Sequence, residues 1–340
     1  MHMDDAQAVA DLTGLADCVL PIAIRLACDL RLADHLAAGP RSVDDLAART
    51  ATRAEPLHRL LRALAARDIF TETEPGRYAL TRLAQPMRAD HPFSLRAAYP
   101  LLAADLRAFG TLTDCLRTGA PSFPVVHGTD YWSYLGAHPD DSRQVDEWMA
   151  SLNKVHLRTV LPAYDWASAG TVVDVGGGNG AFLAGLLARH ESMRAVLVDL
   201  AHVVAAAPAV LAEAGVADRC EIVAGSFFAE LPSGADRYVV KTVLPGWADP
   251  EAVTILRTIR AAMRPDSRLV LLEAIIPEGD TFDVAKLVDV HTMVLTGGRH
   301  RGRAELAELL AQAGLRLSQC TPTPTLTVIE ASIDNNREGR

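Results

Sequence analysis

The sequence predicts two folding classes in one chain: a helical, winged-helix-like N-terminal region, then an α/β domain built on a doubly wound, mostly parallel sheet. Three observations carry this. The length of 340 residues fits about two domains at roughly 150 residues each. Apolar residues recur at helical spacing through most of the first half, and from Gly170 onward short apolar strands alternate with amphipathic segments around a glycine-rich turn.

Leu15, Val19, Ile22, Leu26, Leu30 and Leu36 predict one long amphipathic helix from about Leu12 to Ala37, stopped by Gly39-Pro40. Ser42-Val43-Asp44-Asp45 reads as a capping box opening a short helix. Leu57, Leu60, Leu61 and Leu64 continue the helical pattern from Glu55 to Arg67, and two short segments, Ile69 to Glu72 and Tyr78 to Leu80, flank Pro75-Gly76 as a hairpin. Helix, helix, helix, hairpin is a winged-helix order. Residues 101–165 read as linker helices, separating residues 1–100 from an α/β domain over 166–340. In that domain strands are expected at 171–175, 194–199, 220–224, 237–243 and 268–276, and Leu315 to Cys320 and Thr325 to Ala331 close the sheet as an antiparallel edge.

Thirty-three Lys and Arg against 42 Asp and Glu give a formal charge of −9, which steers the chain toward neither phosphate backbones nor anionic lipid. No apolar run approaches the ~18 residues of a membrane helix. Cys18, Cys28, Cys115, Cys220 and Cys320 are scattered, odd in number and never in CxxC spacing, which argues against a disulfide framework or zinc site and for a reducing cytoplasm. The acidic start Met-His-Met-Asp-Asp lacks the features of a signal peptide. No serine-hydrolase elbow, HExxH pair or P-loop lysine is present. Asp289 and His291 are too few for a metal site. Arg53, His58, Arg59, Arg62 and Arg67 decorate the would-be recognition helix, but Glu55 and Asp68 offset them, so the N-terminal region reads as a dimerisation module rather than a DNA reader.

Val172-Val173-Asp174-Val175-Gly176-Gly177-Gly178-Asn179-Gly180 sets a glycine loop between a strand and a helix, where a nucleotide-type ligand can approach the backbone closely. Gly176 and Gly178 also satisfy a dinucleotide fingerprint, so the loop alone does not separate NAD from another adenosine cofactor. Asp174 favours S-adenosylmethionine: a carboxylate there repels a pyrophosphate but attracts an ammonium and a sulfonium. Asp199, about 20 residues past the loop, ends the next strand, where a carboxylate accepts ribose hydroxyls.

With these residues in place, the chain resembles the bacterial small-molecule O-methyltransferases that decorate natural products. The likeness covers nearly the whole chain through the N-terminal region with Leu60-Leu61-Arg62-Ala63-Leu64, His127-Gly128-Thr129-Asp130-Tyr131-Trp132, the glycine loop, Gly225-Ser226-Phe227-Phe228 and Gly297-Gly298-Arg299. The resemblance implies a Rossmann-like cofactor domain, with the N-terminal domain interlocking two subunits of a homodimer. It implies that Phe227 and Trp247 flank the adenine, that Ser226 stands where an Asp commonly meets the adenine amino group, and that Lys241 borders the cofactor. It further implies an acceptor pocket between the domains, lined by Trp132, Trp148, Met149, Asn153, His291 and Met293, and S-adenosylhomocysteine as the product.

The sequence departs from this family where the proton is removed. The usual Leu-His-Asp-Trp reads Leu244-Pro245-Gly246-Trp247, and the usual Gly-Gly-x-Glu-Arg reads Gly297-Gly298-Arg299-His300-Arg301. Proline accepts no proton, so base and orienting acid are lost together. Three readings follow: methyl transfer to a hydroxyl or amine by alignment or with His291 or His300 as a substitute base; retention of the cofactor for another step such as hydroxylation, decarboxylation or cyclisation; or a binding protein with a degenerate site.

Overall fold

The computed structural model describes residues 3–97 and 102–334, so Met1 and His2 of the N-terminal stretch lie outside the described residues. The chain divides into two compact units, Met1–Leu102 with Arg143–Leu152, and Ala103–Ser142 with Asn153–Arg340.

In the first unit the expected single N-terminal helix is three: α1 (Met3–Leu15), α2 (Val19–Asp29) and α3 (Leu32–His35). Asp17 makes the first break, because its carboxylate accepts the N–H groups of Val19 (3.0 Å) and Leu20 (2.8 Å) and starts a new helix. Arg31 makes the second, in a left-handed conformation with φ 54°. Strand β1 (Arg41–Ser42) and helix α4 (Val43–Thr50) follow, and Ser42 Oγ caps α4 by accepting the N–H of Asp45 at 3.2 Å. The reciprocal half of the expected capping box is replaced by ion pairs: the Asp45 carboxylate meets Arg41 and Arg49. Helix α5 (Ala54–Ala65) and the hairpin of β2 (Phe70–Glu74) and β3 (Arg77–Leu80) complete the unit. β1 adds a third strand to that hairpin, in the order β1-β3-β2. Leu32, Leu46, Leu61, Leu64, Phe70 and Tyr78 are fully buried at its centre.

Helices α6 (Ala103–Phe109), α7 (Leu112–Thr118), α8 (Ser122–His127) and α9 (Tyr131–Ala137) open the second unit, and α10 (Pro139–Val160) runs from it through the 143–152 segment and back. The sheet then forms from β4 (Thr171–Val175), α11 (Ala181–Leu187), β5 (Arg194–Asp199), α12 (Ala201–Val204), α13 (Ala207–Glu213), β6 (Cys220–Ala224), β7 (Arg237–Lys241), α14 (Asp249–Ala262) and β8 (Arg268–Glu273). Helices α15 (Val284–Leu295) and α16 (Arg303–Gln312) precede β9 (Leu315–Pro322) and β10 (Thr327–Ile333). The order is β6-β5-β4-β7-β8-β10-β9, with the first five strands parallel and the last two antiparallel. β7 and β8 stop short of the expected 243 and 276, because Thr242 turns left-handed and an irregular loop follows Glu273.

Alternation along the strands fills two core layers. Val173, Val175, Tyr238, Val240, Leu269 and Leu271 pack toward α14 and α16, whereas Val172, Leu197, Val239, Val270 and Leu272 pack toward α11 and α13. The chain winds outward from β4 in one direction to β6 and from β7 in the other to β8, so β4 and β7 meet at the switch point. Their carboxyl ends are where such sheets bind ligands.

Candidate cofactor and acceptor site

The glycine loop sits at that switch point, and its conformation explains its composition. Gly176, Gly178 and Gly180 have φ of 73°, 65° and 77°, values that L side chains rarely adopt. Space matters as well at Gly176, where a Cβ would lie 2.8 Å from Val243 Cγ2 and 3.4 Å from the Phe227 ring.

Asp174 ends up beneath the loop, not at its open face. It is fully buried, neither carboxylate oxygen has a hydrogen-bond partner among the described residues, and a Cβ on Gly177 would fall 2.5 Å from Oδ2. Burial pushes its carboxyl up to about 7, opposed by Lys241 and reinforced by Asp199. The ionised carboxylate expected from sequence is therefore only partly charged at neutral pH until a cation arrives. Asp199 is half-buried and already employed: Oδ2 accepts the N–H of Gly178 at 2.9 Å and Oδ1 that of Leu200 at 2.7 Å. Each oxygen keeps a second lone pair.

Lys241 ends β7 within electrostatic reach of Asp174, Glu273 and His156. Burial lowers its ammonium, and the two acids counter that. Sequence reasoning missed Glu273 and His156. Glu273 is buried with Oε2 unpartnered, and burial lifts it to about 8. His156 is buried with Nδ1 unpartnered, and burial with the Lys241 charge presses it down to about 3. Asn153, one turn earlier on α10, is buried with Oδ1 unpartnered. Buried polar atoms without partners are uncommon, and three such residues, Asp174, Glu273 and His156, face one lysine, where a polar ligand would complete the hydrogen bonding. The residue types at the loop and strand ends suit the zwitterionic methionine end of S-adenosylmethionine. Only burial, which spacing does not report, distinguishes Glu273 and His156 from other charged residues.

Phe227, Phe228 and Trp247 form one aromatic wall beside Gly176. Phe227 and Trp247 meet edge to face, with centroids 5.7 Å apart and planes at 83°. The two rings are thus perpendicular to each other. Ser226 Oγ accepts the N–H of Phe228 at 3.2 Å, shaping the turn that carries the wall.

Pro245 lies in a short 3-10 turn, Leu244–Gly246, just after Thr242, a β-branched residue at φ 54°. Strain of this kind collects at functional sites. Trp132 comes to this turn, 3.7 Å from where a Gly246 Cβ would be, and α15 packs on it. α15 carries Met293 and His291, whose ring lies 5.2 Å from that of Phe109. The 297–301 loop presses on the same turn: a Gly298 Cβ would fall onto the Pro245 carbonyl. His300 is buried in this loop. Its backbone N–H donates to Asp289 at 2.6 Å and its Nδ1 faces the Ala274 carbonyl at 3.4 Å. Asp289 is thus occupied structurally, and no metal-binding cluster exists among the described residues. Trp148 and Met149 fall in the 143–152 segment of the first unit, whereas Asn153, Trp132, His291 and Met293 belong to the second.

A glycine loop at the switch point, acids at two strand ends and an aromatic wall suit a protein that takes an adenosine-type ligand carrying positive charge. The chain matches the O-methyltransferase domain over residues 109–316 and the O-methyltransferase dimerisation domain over residues 14–88, and it belongs to the S-adenosylmethionine-dependent O-methyltransferase family. It is 37% identical over 308 residues, 90% of each chain, to a phenazine O-methyltransferase of Lysobacter antibioticus. It is also 37% identical over 315 residues, 90% of this chain and 84% of the other, to an aclacinomycin 10-hydroxylase of Streptomyces purpurascens. An O-methyltransferase from neocarzinostatin biosynthesis, solved with S-adenosylmethionine and 2-hydroxy-5-methyl naphthoic acid, superposes with TM-score 0.81 and 36% identity over 94% of this chain and 98% of that one.

Proposed function

We propose that this enzyme transfers the methyl group of S-adenosylmethionine to a hydroxyl or amine of a small aromatic or polyketide-type natural product, without the family's usual histidine base. The observation that carries the reading is the set of buried side chains Asp174, Glu273 and His156, each with an unpartnered polar atom, that faces Lys241 at the strand end beside the glycine loop. In it, Asp199 holds the ribose, the loop from Gly176 to Gly178 admits the backbone to close approach, and Phe227 and Trp247 border the adenine. The acceptor side is taken by Trp132, Asn153, His291 and Met293. When bound, S-adenosylmethionine supplies a methyl group on a cationic sulfur. The chain supplies alignment, worth up to ~7–11 kcal/mol for well-oriented groups. His291 and His300 are the two candidate proton acceptors; on His300 a proton on Nδ1 directed at Ala274 O leaves Nε2 with its lone pair.

The enzyme acts as a homodimer through its N-terminal unit, in the cytoplasm. Support for the dimer is the dimerisation-domain match and the exposure of Val9, Leu12, Leu15 and Val19 on α1 and α2. A second reading, retention of the methyl group during a hydroxylation-type step, is favoured by Pro245 in place of the base and by the relative named as a hydroxylase.

One experiment separates the two. The protein is incubated with methyl-labelled S-adenosylmethionine and metabolite extract of the source strain, and products are followed by mass spectrometry. Labelled product with matching S-adenosylhomocysteine supports methyl transfer. An altered, unlabelled product that still requires the cofactor overturns it in favour of the second reading.

A further inference from the structure

We propose that Arg301 is a positioning residue for the cofactor wall, holding the 244–247 turn and with it Trp247 in the shape that receives the adenosine. Its side chain is 4% exposed. Nε and Nη2 donate to Asp249 Oδ1 at 2.9 and 2.7 Å, Nη1 donates to the Leu244 carbonyl at 3.1 Å and to that of Arg299 at 3.2 Å, and Nη2 donates to the Trp247 carbonyl at 3.0 Å. One guanidinium thus ties both ends of the turn and the first residue of α14 to its own loop.

The turn needs such a tie. It departs from a left-handed Thr242, and Pro245 contributes no N–H to hold it. Gly298 allows the loop to approach until its backbone touches the Pro245 carbonyl. From Trp247 the contact continues to Phe227 and from Phe227 to Gly176 of the glycine loop. A planar fork of five donors serves three carbonyls and a carboxylate at once; an ammonium is a point charge and does not. Arg299, on the same loop and near the same Asp249 at 3.5 Å, is exposed and reaches neither turn carbonyl, so it is the natural control.

The inference rests on the reading that Trp247 and Phe227 border the cofactor. Dissociation constants for S-adenosylmethionine and S-adenosylhomocysteine are measured by titration calorimetry on the full chain, wild type and variants, alongside thermal melting. Arg301→Lys is expected to weaken both by roughly tenfold, as for a lost charge-assisted bond, with Arg301→Met no worse than Arg301→Lys. Asp249→Asn, which leaves the guanidinium on the carbonyls, is expected to weaken them by only a few-fold, and Arg299→Ala to leave them unchanged. A merely structural Arg301 would lower the melting temperature and leave both constants at the wild-type value, which overturns the proposal. If the Arg301 variants do not fold, Gly298→Ala, which pushes the turn away directly, must reproduce the weakening; unchanged binding in it also overturns the proposal. Failure of the wild type to bind either ligand would instead bring down the cofactor reading, and this inference with it.

Discussion

In the proposed site Asp199 and Asp174 would serve the same ligand by different physics. Asp199 is held by two backbone N–H groups and keeps lone pairs for a ribose. Asp199→Ala is expected to weaken S-adenosylmethionine binding by about 10- to 100-fold, the loss of one or two charged hydrogen bonds, and titration calorimetry checks it. Asp174, raised to about 7 mainly by burial, must ionise when a cationic ligand arrives. Affinity for S-adenosylmethionine should therefore rise between about pH 6 and 8 and then level, with protons released on binding. Asp174→Asn should bind more weakly and lose this slope. Without ligand the sign reverses: the folded acid holds its proton where the unfolded one, with an ordinary value of 3.8, has lost it. The stability Asp174 leaves intact at low pH is thus lost as pH rises through about 7, and melting curves of wild type against Asp174→Asn test this. For the two histidines, turnover should fall in His300→Ala or in His291→Ala if that ring serves as the substitute base; full turnover in both would leave alignment as the whole of the catalysis.

Local backbone decides more than side-chain chemistry at the level of the elements. Thr242 joins β7 to the turn in a conformation that costs a β-branched residue of order 1–3 kcal/mol. Thr242→Gly should therefore raise thermal stability while loosening the turn, and binding of S-adenosylmethionine should weaken as the melting temperature climbs. Gain of both stability and affinity would show that the strain serves nothing. The N-terminal helices teach the same lesson in the other direction. The apolar spacing from Leu12 to Leu36 is continuous, yet Asp17 and Arg31 divide it. Periodicity reports which face is apolar; whether a carboxylate bonds forward to two amides depends on local conformation.

For the whole molecule, α1 and α2 leave Val9, Leu12, Leu15 and Val19 exposed, at 56 to 83%, more apolar surface in sequence than a monomer usually presents. Light scattering after gel filtration should give a dimer of 36.5 kDa chains, and Leu12→Asp with Leu15→Asp should shift it toward monomer. A wild-type monomer at micromolar concentration would refute the dimer.

By itself the sequence determined the class of fold and the kind of cofactor, and it proposed where that cofactor sits. The period of apolar residues specifies strands, helices and their alternation, and a glycine loop followed by Asp199 needs only local order along the chain to be read. Pro245 and His300 are also legible from sequence alone, as departures from the motifs that the resemblance leads one to expect. Burial and long-range contact are what only the tertiary structure decided. Asp174 lies beneath the loop with a raised carboxyl, Glu273 and His156 converge on Lys241 from β8 and α10, Phe227 and Trp247 stand perpendicular, and Arg301 reaches back 54 residues to the Trp247 carbonyl. Each depends on groups far apart in sequence meeting where water is excluded, and neither spacing nor composition encodes that meeting.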